Sequence, residues 1–144
     1  MSGVNLDRLR DLVGHLREAV RRLRELAQVP EGDFLTDPRA IDSAKYQLIV
    51  AAEAALDICN HLAARKEARS PRDYADCMAI MMELGVVDDA LGRRLMRMAR
   101  FRNLLVHLYA TVDNQQVHAV IRERLGDFDE YLGSVGRYLQ TDLG

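Results

Sequence analysis

The chain has 144 residues, 49% hydrophobic and 29% charged, with nine glycines, three prolines and a formal net charge of −2. That length fits one domain with a buried core, and the composition is ordinary for a soluble globular protein. No run of about eighteen apolar residues occurs, which argues against a membrane span, and Met1 to Arg8 lack the basic-then-apolar pattern of a secretory leader.

Apolar residues at Leu6, Leu9, Val13, Leu16, Val20, Leu23 and Ala27 recur every three or four positions and predict an amphipathic helix from Leu6 to Ala27, stopped by Pro30 and Gly32. Phe34 to Asp37 reads as a connector. Asp37 followed by Pro38 is an N-cap with proline at the first helical position, and opens a second helix to about Arg65. Its middle, Leu48 to Ala52, is apolar on every side and marks it as the central helix. The alanines at 51, 52, 54 and 55 would let neighbouring backbones approach closely. Glu53, Asp57, Asn60 and His61 stand out there, because a buried polar group needs a partner. Either some of them face solvent while the rest satisfy the bundle, or Asp57 or Asn60 reaches Arg102. Cys59 and Cys77 are too few for a disulfide framework and fall within helical patterns, so they are read as reduced core thiols of a cytoplasmic protein.

Ser70-Pro71-Arg72-Asp73 has the form of a capping box opening a third helix, with Tyr74, Cys77, Met78, Met81 and Leu84 as its apolar face and Gly85 at its end. Asp88 caps a fourth, whose inward stripe runs Leu91, Leu95, Met98, Arg102, Leu105. Arg102 occupies a position the pattern would otherwise give to an apolar residue. Asp113-Asn114-Gln115-Gln116 opens a fifth helix with the seam Val117, Ile121, Leu125, Phe128, Leu132, Val135 and Leu139. The expected fold is all-α: one domain over residues 1–144, an antiparallel bundle of four long helices and one short one.

Chemistry concentrates between Leu91 and Val112, where Arg93, Arg94, Arg97, Arg100 and Arg102 occur without any acid. Arg93, Arg97 and Arg100 repeat at helical spacing and could steer an RNA backbone. At about 100° per residue, Arg102 and Tyr109 would share one helix face, and Asn103 and His107 another. For Arg102 and His107 to serve one substrate, the helix must end or bend between them, or two copies must face each other across a dimer; the composite cleft is the preferred reading. These types suit phosphodiester cleavage in RNA. An imidazole, ordinarily titrating near pH ~6.5, can take the proton of a 2′-hydroxyl or protonate the leaving oxygen. A guanidinium can hold the phosphate through two hydrogen bonds and stabilise charge in the transition state. Asn103 would orient the ring or touch the phosphate. Four scattered histidines and two lone cysteines lack metal-ligand spacing, so neither a metal nor a cofactor is expected. On composition alone, Arg, His and Tyr near a helix end are equally caps, surface pairs or interface residues.

The stretch Arg102-Asn103-Leu104-Leu105-Val106-His107-Leu108-Tyr109 resembles the HEPN superfamily, and most closely its HepT-type toxins, whose hallmark is Arg, about four residues, His, and a Tyr two residues later. Tyr46 to His61, Pro71 to Asp76 and Glu83 to Val87 are similar to flanking pieces of the same family, so the resemblance covers about residues 40–125. It implies a homodimeric, metal-independent ribonuclease, the toxin of a type VII-like toxin–antitoxin pair, with Arg102 and His107 catalytic at the dimer cleft. It further implies an MntA-like nucleotidyltransferase antitoxin that silences the toxin by transferring AMP to Tyr109. A bulky anion there, held by Arg102 and its neighbours, would occupy the place of RNA phosphate. Two other readings compete: a non-catalytic helical module that binds a nucleotidyltransferase or nucleotide, and a plain bundle in which the motif is a dimer-interface network.

Overall fold

The computed structural model describes residues 4–66, 68–141 and 143; Met1 to Gly3, part of the segment read above as lacking a leader, lie outside the described residues. The described residues form seven helices and no strand: α1 Leu6–Ala27, α2 Glu31–Leu35, α3 Pro38–Arg65, α4 Tyr74–Glu83, α5 Asp89–His107, α6 Asn114–Glu123 and α7 Gly126–Leu139. The all-α expectation holds, and α1 and α3 have the predicted bounds. Asp37 caps α3 by accepting from the amides of Arg39 and Ala40, and Asp88 caps α5 by accepting from that of Leu91.

Three local expectations change. The connector around Phe34 contains the short helix α2, which inserts the fully buried Phe34 into the core. The third predicted helix starts at Tyr74, and its cap is Asp73, which accepts from the Asp76 amide at 2.7 Å, rather than Ser70. The single fifth helix is broken at Arg124–Leu125 into α6 and α7. The whole predicted seam is still buried. The break, just before a glycine of low helix propensity, lets α6 pack on α1, α2 and α3 while α7 packs on α5 and α1.

Helices α1 and α3 form the most extensive packing pair. Leu9, Leu16 and Leu23 of α1 and Leu48, Leu56, Ile58 and Leu62 of α3 are fully buried together with Phe34, Phe128 and Tyr131, whose hydroxyl donates to the Ala55 carbonyl at 2.9 Å. The Asn5 amide, at the start of α1, donates to His61 Nε2 near the end of α3 (3.2 Å), so the two run antiparallel. Glu53 meeting Arg102 and Lys45 meeting Tyr109 set α5 antiparallel to α3. Among the described residues no helix is long and apolar enough to cross a membrane.

The cysteines depart from the expectation of reduced thiols. Cys59 of α3 and Cys77 of α4 are both buried and joined as a disulfide, because the two helices lie side by side with the cysteine Cα atoms 6.3 Å apart. A bridge across a sequence separation of 18 residues restricts the unfolded chain by about 3 kcal/mol. Adding reductant is therefore expected to lower the unfolding free energy measured in urea by about that amount, with the folded circular-dichroism spectrum unchanged; identical midpoints with and without reductant would show the bond absent in solution.

Candidate active site

Because Arg102 lies on the inward stripe of α5, its side chain is only 12% exposed and its charge must be satisfied by protein. Nη2 donates to Glu53 Oε1 of α3 at 2.6 Å, and Nη1 to Asn103 Oδ1 at 3.0 Å. The guanidinium plane sits 4.4 Å from the centre of the Tyr74 ring at the start of α4, a cation–π contact. Nε is buried and bonded to no protein atom. Glu53, rather than Asp57 or Asn60, thus takes Arg102. Asp57, one turn further along α3, is exposed and has Arg8 and Glu53 as its charged neighbours. Asn60 places Oδ1 3.4 Å from Cys77 Sγ.

Arg102, Asn103 and His107 nevertheless open into one groove of about 400 Å³, completed by Asn60, Pro71, Asp73 and Tyr74. The helix wheel separates Arg102 from His107, but the long arginine side chain folds back over Tyr74 to meet Asn103, which is on the histidine's side. A single copy of the chain therefore brings both residues to one cavity, and α5 ends at His107 itself. The Pro71–Tyr74 wall is fixed electrostatically. Asp76 accepts from Arg69 at 2.6 and 2.8 Å and from the Arg72 amide at 2.9 Å, and these donors hold its carboxyl well below the usual carboxylate range.

Tyr109 lies past the end of α5, so the face it was expected to share with Arg102 does not exist. Its hydroxyl donates to Asp42 Oδ1 of α3 at 2.9 Å. The ammonium of Lys45 stands 4.5 Å from the centre of its ring and donates to its main-chain carbonyl at 2.6 Å. Partial burial, then the hydrogen bond and charge of Asp42, push the phenol above its ordinary pKa. Arg93, Arg97 and Arg100 are exposed along α5 and make no ion pair among the described residues, whereas Arg94 is committed to Asp127 (2.7 Å) and Glu130 (2.8 Å) of α7. Glu53 was legible only as a polar residue in need of a partner. Nothing in the sequence marks Tyr74 or Asp42 as a site residue, and Lys45 stands out only as a lysine, one of two in the chain, on a largely apolar helix. No group of three His, Cys, Asp or Glu among the described residues could hold a metal ion.

This geometry coincides with a clear relationship. The family model described as "Ribonuclease HepT-like" matches residues 16–135, and the chain belongs to that HepT-like family. It is 24% identical over 127 residues to the mRNA nuclease HepT of Shewanella oneidensis, covering 86% of this chain and 96% of that protein. It is 31% identical over 98 residues to a putative RNase of Archaeoglobus fulgidus, covering 68% and 72%. Its fold matches that of the tri-AMPylated Shewanella oneidensis HEPN toxin solved in complex with the MNT antitoxin, with a TM-score of 0.81 at 22% identity over 90% of this chain and 96% of that one.

Because Arg102 Nε–H is buried and Glu53 fixes the guanidinium, its NMR signal is expected to exchange slowly with water. Glu53→Gln, which removes the charge of the acceptor, should speed that exchange about tenfold or more; equal rates would show that Glu53 does not hold the arginine.

Proposed function

We propose that this chain is an RNA endonuclease and the toxin of a toxin–antitoxin pair, and that the groove of Arg102, Asn103 and His107 is where it cuts. The observation that carries this reading is the convergence on one cavity of an exposed imidazole and a guanidinium whose buried Nε–H meets no protein acceptor. The scissile phosphate would enter beside Arg102, whose remaining donors take its nonbridging oxygens as negative charge builds. His107 takes the proton of the 2′-hydroxyl, the 2′-oxygen attacks phosphorus, and the 5′-oxygen leaves with a proton from an imidazolium. The products are a 2′,3′-cyclic phosphate and a 5′-hydroxyl, and no step needs a metal. Asn103 spends its carbonyl oxygen on Arg102; its amide N–H groups would remain for phosphate. Asp57 has no part in this arrangement, and Asn60 acts as a wall of the groove. Arg93, Arg97 and Arg100 would take flanking phosphates.

The acting species we infer is a homodimer. Leu104 and Val106 of the last turn of α5, Leu108 and Tyr109 just past it, and Tyr46 of α3 are exposed and would be covered by a second copy. That arrangement would supply a second His107 as the acid. Regulation fits Tyr109: the residue is 37% exposed, only two residues beyond His107, with a cation at hand. AMP transfer from ATP by a nucleotidyltransferase antitoxin would place an anion at the rim of the cleft. The cation at hand is Lys45 rather than Arg102.

Purified unmodified protein is expected to cleave single-stranded RNA in excess EDTA and to leave 2′,3′-cyclic ends, detected by mass spectrometry. His107→Ala should slow cleavage by about 10²–10⁴-fold without changing the melting temperature; an equally active variant would sink the assignment. A folded dimer that cleaves no RNA but holds the nucleotidyltransferase would instead favour a binding module. With the cognate antitoxin and ATP, Tyr109→Phe should gain no AMP mass and stay active, and modification of that variant would place the acceptor elsewhere.

A further inference from the structure

A second pocket lies across α5 from the cleavage groove. It holds about 150 Å³ between α5, α6 and α7. Met98, Phe101 and Val120 contribute apolar residues to its lining, and Arg97, Gln116 and Arg124 line it with Arg94 and Asp127. Met98 and Phe101 are buried, whereas Arg97, Gln116 and Arg124 are exposed. The Asp127 carboxylate is bound by Arg94, which also pairs with Glu130. Among the described residues Arg97 and Arg124 are in no salt bridge, although the charge of Arg124 is felt by Asp127, so the lining gathers two guanidinium residues without a hydrogen-bonded acid and a carboxamide residue around an apolar base.

The helical repeat of α5 places Arg93, Arg97 and Arg100 in one narrow sector of its surface. Phe101 of the pocket falls on one flank of that sector, while His107 and Asn103 of the groove fall on the other. The exposed arginine stripe therefore runs between the two cavities and joins them with positive charge. We propose, building on the ribonuclease reading above, that this pocket is a base-binding subsite for single-stranded RNA, holding a nucleobase a few nucleotides away from the scissile phosphate. A base ring fits both chemistries: it can lie on Met98 and Phe101, stack against guanidinium planes, and bond through its edge to Gln116, which both donates and accepts. A bare phosphate would leave the apolar surface unused, and an apolar ligand would leave the guanidinium and carboxamide groups unused. The strand between the cavities crosses Arg97, Arg93 and Arg100 with its phosphates.

The test uses the full-length protein and fluorescein-labelled oligouridylates from dinucleotide to octanucleotide. In a His107→Ala background, Arg124→Ala and Gln116→Ala should each weaken octanucleotide binding about tenfold, read by anisotropy. With His107 intact, Arg124→Ala should leave dinucleotide turnover unchanged. Arg124→Lys keeps the charge but not the plane and should recover little; full recovery would overturn stacking. A 4-thiouracil octanucleotide should photo-crosslink to peptides containing Met98 and Phe101 or residues 116–124. If Arg124→Ala binds the octanucleotide like its parent, or crosslinks map only to the groove, the subsite is wrong while the nuclease reading stands. If the unmodified protein neither binds nor cleaves any of these RNAs, both fall.

Discussion

The burial of one positive charge organises this molecule. Placing Arg102 on the inward stripe of α5 takes a guanidinium out of water, a cost of several kcal/mol unless its charge and donors are met. The structure meets it from three directions: Glu53 from α3, Asn103 from the next residue of α5, and the Tyr74 ring from the start of α4. Three helices are thereby tied to one side chain, and the groove is the gap they leave around it. A lysine could not replace it, since a point charge has neither the plane that stacks on Tyr74 nor the fork that reaches Glu53 and Asn103 together.

The elements around that residue act as its supports. Helix α4 starts where it does because Asp73 caps it and because Asp76 is gripped by Arg69, and this brings Tyr74 beneath the arginine. The Cys59–Cys77 bridge ties α4 to α3 within one residue of Asn60, on the opposite wall of the groove. The bend between α6 and α7 has a comparable effect on the far side of α5. It turns Gln116 and Arg124 toward Met98 and Phe101 while the long apolar seam stays buried.

Much of this was legible in the chain. Periodicity and caps located α1, α3 and α5, and the misfit of Arg102 in an apolar stripe pointed to the site. Other features were not, and the reasons are physical. A wheel treats every residue as a point on a cylinder, so it could not show that a long arginine folds back toward Asn103 and His107. The helix break at Arg124–Leu125 left the apolar seam continuous, because each half buries its share against different neighbours. Glu53 and Asp57 are equivalent as isolated acids on one helix; which of them meets Arg102 depends on how α3 and α5 cross. The pairing of two cysteines eighteen positions apart depends in the same way on the approach of α3 and α4.

Lys45 carries one more consequence. Its ammonium holds the main-chain carbonyl of Tyr109, not the phenolic oxygen, and Asp42 alone occupies that oxygen. The backbone at Tyr109 is thus anchored independently of what its hydroxyl carries. A group added at that oxygen would displace only its contacts with Asp42 and leave the post on which it stands in place. A change at this position would then act through bulk and charge projected from a fixed mount.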